Sequence, residues 1–193
     1  MTPSTVAADL IFSVPMPRME GRAQFVTFLK FIHGLMRASG PLLELAAEKS
    51  SGALREYYEA HLAEEKDHAE WLAKDMELLS EAPAQIDHAA AATAGAQYYY
   101  LRHVGPHALL GYIAAMEFRP MPLADVETLE KLYGAPAIRT LRYHATHDPE
   151  HAKELARVID EHAQFADIIC YSAFVTTRML AFYLDERMRH ASP

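Results

Sequence analysis

The chain has 193 residues, 51% hydrophobic and 23% charged, the make-up of one globular domain spanning 1–193 rather than of a disordered or collagen-like polymer. Its 26 acidic residues outnumber 18 lysines and arginines, for a formal charge of −8, and so exclude a nucleic-acid partner, whose binder needs a basic face to displace counterions. The unusual number is histidine, 11 against 8 glycines and 6 lysines.

Residues 1–18 read as an extended or loosely ordered N-terminal segment, with no basic region ahead of its short apolar run and so no secretory signal. Helices are expected at 19–38 and 41–49, divided by Gly40-Pro41, and then at 53–81 after Ser51-Gly52. Further helices follow at 87–104, at 107–118 after Gly105-Pro106, at 123–146 with a break near Gly134, and at 149–188 with a break near 163. Val/Ile alternation of strand length is nearly absent, so the fold class is all-α, a bundle of about seven helices. The apolar stretch 165–184 has the length of a membrane span but carries Asp167, Arg178, Ser172, Thr176 and Thr177, which argue against a membrane. Cys170 stands alone, excluding an internal disulfide and a cysteine zinc site and pointing to a reducing, cytoplasmic setting.

Two helical stripes carry polar residues at their centres. One runs through Leu54, Tyr58, His61, Glu65, His68, Leu72, Met76 and Leu79, the other through Ala137, Leu141, His144, Asp148, His151, Leu155 and Val158. Glu117 shares a face with Leu110 and Ile113 in a run holding no other charge. Buried carboxylates are costly and repel one another unless a cation lies between them. Glu65-x-x-His68 and Asp148-x-x-His151 each set a carboxylate and an imidazole one turn apart, and His144 precedes Asp148 by four. Three carboxylates with three imidazoles and no thiolate suit iron, with manganese as the alternative, and carboxylate sites between helices hold two metals.

Some of these residues have plainer readings. Asp148 before Pro149 is also an N-cap followed by proline at N1. Glu64 competes with Glu65 as the partner of His68, and the stripe favours Glu65. His61 and His147 read as supporting or packing residues. His33, His88, His103, His107, His162 and His190 read as surface or helix-end residues, and the aromatic residues Tyr98, Tyr99, Tyr100, Trp71, Tyr112, Tyr143, Tyr171 and Tyr183 receive no substrate role. The chain has no glycine-rich phosphate loop, no HExxH and no Gly-x-Ser-x-Gly elbow.

HLAEEKDH at 61–68, GYIAAME at 111–117 and HATHDPEH at 144–151 together resemble the haem-oxygenase-like diiron oxidases and oxygenases, whose helical fold also includes haem oxygenases, TenA-type thiaminases and the pyrroloquinoline-quinone synthase. The resemblance implies a haem-oxygenase-like bundle, with Glu65, His68, Glu117, His144, Asp148 and His151 as ligands of two Fe2+ ions. Members with a Glu-x6-His pair are less similar, since Leu72 occupies the position seven after Glu65. The implied activity is O2-dependent oxidation of a small organic substrate, a fatty acid, amino acid or amine, by C–C cleavage, desaturation or N-oxygenation. The default assembly is a homodimer.

Two rival readings remain at the level of sequence. A ferritin-like iron-binding bundle needs a glutamate about 30 residues before Glu65, where the chain has Met36. A metal-free TenA-like or quinone-synthase-like member of the same fold would use the histidines as a polar network; Cys170 lacks a recognisable nucleophile pattern, and His33 as a haem ligand would leave six inward polar residues unexplained.

Overall fold

A computed structural model describes residues 1–191, and among these there is helix and no strand. The helices are α1 (Pro3–Ser13), α2 (Arg22–Glu48), α3 (Gly52–Glu65), α4 (His68–Leu78), α5 (His88–His103), α6 (Ala108–Glu117), α7 (Leu123–Tyr133), α8 (Arg139–Glu161) and α9 (Ala166–His190), with short 3-10 turns before α8 and α9.

The N-terminal expectation is corrected. Residues 3–13 are helical and only the stretch after them, to about 21, is non-helical. Thr2 caps α1 through its hydroxyl, with proline following at the first helical position. Asp160 on α8 completes the cap across the chain, accepting from the Ser4 backbone N–H and the Ser4 hydroxyl at 2.9 Å each. Ala7 and Ile11 are then fully buried.

Two prolines sit inside helices. Pro41 lies within α2 and Pro149 within α8, so the expected boundaries at 38–41 and 146–149 are absent. Each proline removes one backbone hydrogen bond, at about 3 kcal/mol. Burial on both sides, of Leu35, Leu42 and Leu43 in α2 and of Leu141, Leu155 and Val158 in α8, keeps each helix running. Conversely, the expected 53–81 helix is divided at Lys66–Asp67 into α3 and α4.

Helix α6 is the axis of the molecule. Nine of its ten residues are buried, and it crosses α9 so closely that a Cβ on Gly111 would lie 2.1 Å from the Ile169 carbonyl oxygen and 2.7 Å from the Ala173 nitrogen. Only glycine fits there. Around it, one apolar cluster joins α1, α3, α6, α8 and α9 through Ile11, Tyr58, Leu110, Ile159 and Ile169. A second joins α2, α4, α7 and α8 through Phe25, Leu72, Met76, Val126 and Leu141. The segment Ala163–His190 is long and apolar enough to cross a membrane, and here one of its faces, through Ile169, Ala173, Leu180 and Leu184, belongs to the core.

Candidate metal centre

Every position of the first stripe is buried except Glu65, which is half-buried, whereas Glu64 is exposed. The second stripe is buried or half-buried throughout, and Asp148 lies in mid-helix because α8 begins at Arg139. Its N-cap reading is therefore set aside. Glu117 is 6% exposed. It is the last residue of α6, as Glu65 is of α3, so both carboxylates sit where free carbonyls make a helix end negative.

Two groups of donor atoms form, and within each the atoms lie within 4.8 Å of one another: Glu65 with His68 and His144, and Glu65 with His61 and Glu117. Glu65 belongs to both. In the first group Glu65 Oε2 is 3.0 Å from His68 Nδ1, and His144 Nδ1 donates to Asp148 Oδ1 at 3.0 Å. In the second, His61 Nε2 is 3.1 Å from Glu117 Oε1. His151 lies apart, with Nε2 turned to Glu64 Oε2 at 3.5 Å.

The electrostatics express this crowding. Burial raises the Glu117 carboxyl above its ordinary range, with Asp148 adding to the rise against the opposing effect of His61. Burial also acts to raise Glu65, but His68, His144 and His61 outweigh it and lower its pKa. For His61 and His144 burial favours the neutral ring, yet the surrounding carboxylates, led by Glu117 and Asp148 respectively, leave both raised.

Buried donor atoms remain without hydrogen bonds: His68 Nε2, Glu117 Oε2, His144 Nε2 and His151 Nδ1, while His68 Nδ1 meets only the Glu65 carboxylate at 3.0 Å. Such atoms cost about 1–3 kcal/mol each when left unmade. Their chemistry, imidazole and carboxylate converging on one place, fits a divalent first-row metal. His61, which the sequence reads as a supporting or packing residue, stands in the second of these donor groups. Its signal was its place on the stripe one turn before Glu65, which also marks an ordinary packing histidine.

Aromatic rings enclose one side: the His68 ring packs 4.7 Å from Trp71 and 5.0 Å from Tyr143 by centroids. On the other side a cavity of about 200 Å³ opens, lined by His61, Glu65, Glu117, His144 and Asp148 at its polar end. Met16, Phe28, Met36, Leu109, Met116 and Leu180 are among its apolar walls, and Arg119 is its one cationic lining residue. Arg119 holds the N-terminal segment in place by donating to the Val14 carbonyl at 2.9 Å. Burial pushes the phenol of Tyr112, another wall residue, up to about 12. Among the histidines expected at surfaces or helix ends, His33 is instead buried within α2, and of the Tyr98–Tyr100 run the first two are exposed.

Comparison with solved structures gives the fold its class. The chain is similar to a domain of unknown function with a heme oxygenase-like fold from Shewanella denitrificans OS217, with a TM-score of 0.68 and 15% identity over 97% of this chain and 84% of that one. The chain thus has the haem-oxygenase-like fold, as the sequence motifs imply. No protein-family model and no curated protein matches it.

Proposed function

We propose that the chain is a non-haem diiron oxidase or oxygenase, which uses O2 to oxidise a small organic substrate in the cavity beside the metal centre. The observation that carries this reading is the sharing of Glu65 between two donor groups at the inner end of an apolar cavity. Three carboxylates opposite two divalent ions leave one positive charge, which suits an oxygen-bearing ligand or a substrate carboxylate. Met36, where a ferritin-like centre needs a glutamate, is a thioether in the cavity wall.

When bound, two Fe2+ ions would supply the electrons that activate O2, a role no side chain offers, with O2 itself as the oxidant. Glu65, His68, Glu117, His144, Asp148 and His151 would hold them, with manganese the alternative metal. His144 donates its Nδ1 proton to Asp148, which leaves Nε2 as the free donor atom and fixes the ring. The apolar walls exclude water and suit an aliphatic substrate body. Tyr112 keeps its proton on Oη at neutral pH because burial raises it, so it offers a donor in an otherwise apolar wall.

The test is anaerobic loading with Fe2+, a count of bound metal, and then O2 uptake measured without added substrate. Two irons per chain and consumption of O2 are expected. A folded protein that takes up no iron overturns the proposal in favour of the metal-free reading, in which His61–Glu117, His68–Glu65 and His144–Asp148 are simply internal pairs. Growth of iron mineral would instead indicate storage.

A further inference from the structure

We infer that Trp71 and Tyr143 form an electron-donating path between the candidate metal centre and the outer surface, and that they give their own electrons to O2 when the cavity holds no substrate. The inference rests on the diiron reading above and adds a role for two side chains which that reading leaves unused. His68 and Trp71 lie three apart on α4, and Tyr143 and His147 four apart on α8, so each pair leaves its helix on one face. The two faces meet. Ring centroids are 4.7 Å apart for His68 and Trp71, 5.0 Å for His68 and Tyr143, and 5.4 Å for Trp71 and Tyr143. Tyr143 also meets the His144 ring at 5.8 Å, and it stacks on His147 at 4.0 Å and 13° between planes. Burial falls along this series: His68 is fully buried, Trp71 and Tyr143 are half-buried, and His147 is exposed. Four rings in continuous contact thus run from two imidazoles of one donor group to solvent.

Neither Trp71 nor Tyr143 is among the residues lining the cavity, so a substrate seated there does not meet them. Indole and phenol are, after the thiol, the side chains that give up an electron most readily. The Arg139 guanidinium lies 5.8 Å over the Trp71 ring; its charge disfavours a positive indole radical and so favours loss of the N–H proton together with the electron. Reduction of O2 to two waters takes four electrons and four protons. Two Fe2+ ions passing to Fe3+ give two electrons, and a substrate gives the other two. With the cavity empty, Trp71 gives one electron and its indole proton, Tyr143 gives one electron and its phenol proton, and solvent supplies the remaining two protons. A one-electron reductant of the ascorbate class then returns an electron and a proton to each radical. Oxidising equivalents leave along the rings instead of converting the thioethers of Met16, Met36 and Met116 in the cavity wall to sulfoxides.

The test mixes the Fe2+-loaded, substrate-free full chain with O2, freezes samples for electron paramagnetic resonance, and maps oxidised residues by peptide mass spectrometry. Indolyl and phenoxyl signals are expected, and ascorbate should erase both. Trp71→Phe should lose the indolyl signal and Tyr143→Phe the phenoxyl signal. The double variant should lose both and gain sulfoxide at Met16, Met36 or Met116, with its iron count unchanged. Trp71 is the chain's single tryptophan, so an indolyl signal from the unmutated chain supports the inference even if the variants do not fold.

Iron bound and O2 consumed without an indolyl signal overturns the inference and leaves the diiron reading standing. The same methionine oxidation in the unmutated chain and the folded double variant does so too. A chain that takes up no iron, or takes it up without consuming O2, defeats the diiron reading and this inference with it.

Discussion

Buried and half-buried carboxylates occupy two kinds of place in this molecule. Asp75 is 2% exposed and caps α8 from across the chain, accepting from the Thr140 N–H at 2.7 Å with Arg139 3.3 Å away. Asp87 caps its own helix α5 through Ala90 and pairs with Arg187, and Asp160 caps α1. All three turn their oxygens to the positive N-terminal end of a helix, although Asp75 and Asp160 themselves lie in the last turns of α4 and α8. Glu65 and Glu117, which end α3 and α6, face imidazoles instead, with Glu117 Oε2 unpartnered. The first group stabilises the fold without help. The second crowds carboxylates and imidazoles around an unpartnered oxygen, an arrangement that the proposed cations would complete, the conflict expected where function overrides stability.

That contrast can be tested by size and sign. The largest effect is expected on adding metal: with two positions at a hundredfold excess over Kd, the fold gains about 5 kcal/mol, and Glu65→Ala should abolish the whole gain because both positions use it. Parallel thermal melts with and without Co2+ measure this. Asp75→Ala is expected to cost about 3 kcal/mol by leaving the Thr140 N–H and Arg139 uncompensated, lowering Tm by roughly 6–12 °C. Folded Asp75→Ala should still take up metal in full, and a variant that lost metal while folded would erase the distinction between the two regions.

Glu117→Gln should act with the opposite sign in metal-free protein, raising stability by about 1 kcal/mol at neutral pH. A carboxyl whose folded pKa is raised contributes stability below its ordinary range near 4.5, and loses it as pH rises through the folded value. Denaturant titration at pH 7 should show the gain, and a loss there would mean that Glu117 is structurally satisfied after all.

A further effect, confined to acid pH, lies outside both groups. His107, stacked on Phe165 at 3.5 Å, is lowered from 6.5 to about 4 by burial and by His162. It is neutral in the fold, and the unfolded chain takes up the proton first as pH falls. Its contribution is therefore lost between about pH 6.5 and 4, and His107→Gln should flatten the Tm profile in that window alone.

The legible parts of the sequence were those in which burial repeats with helical period. Glu65 was separable from Glu64, and Glu117 could be read as buried, because a stripe reports which way a side chain faces. Proline was misleading at 41 and 149, since its local cost is outweighed by apolar contacts that come from other helices. Helix α1 was missed although Thr2-Pro3 announces a cap, because eleven residues become a stable helix only when Asp160 and α9 receive them. His61 and His151 were distinguishable only in space, both being stripe histidines within one turn of a candidate carboxylate.

The sequence by itself determined the helical class, the faces turned inward and the presence of more buried carboxylate and imidazole than packing can satisfy, because periodicity and residue chemistry are local properties. Tertiary structure decided which of those groups meet. The shared position of Glu65, the turning of His151 toward Glu64 and the cavity at the inner end of the site all depend on how α3, α6 and α8 cross, and α6 is set in place by a close approach to α9 that only Gly111 allows.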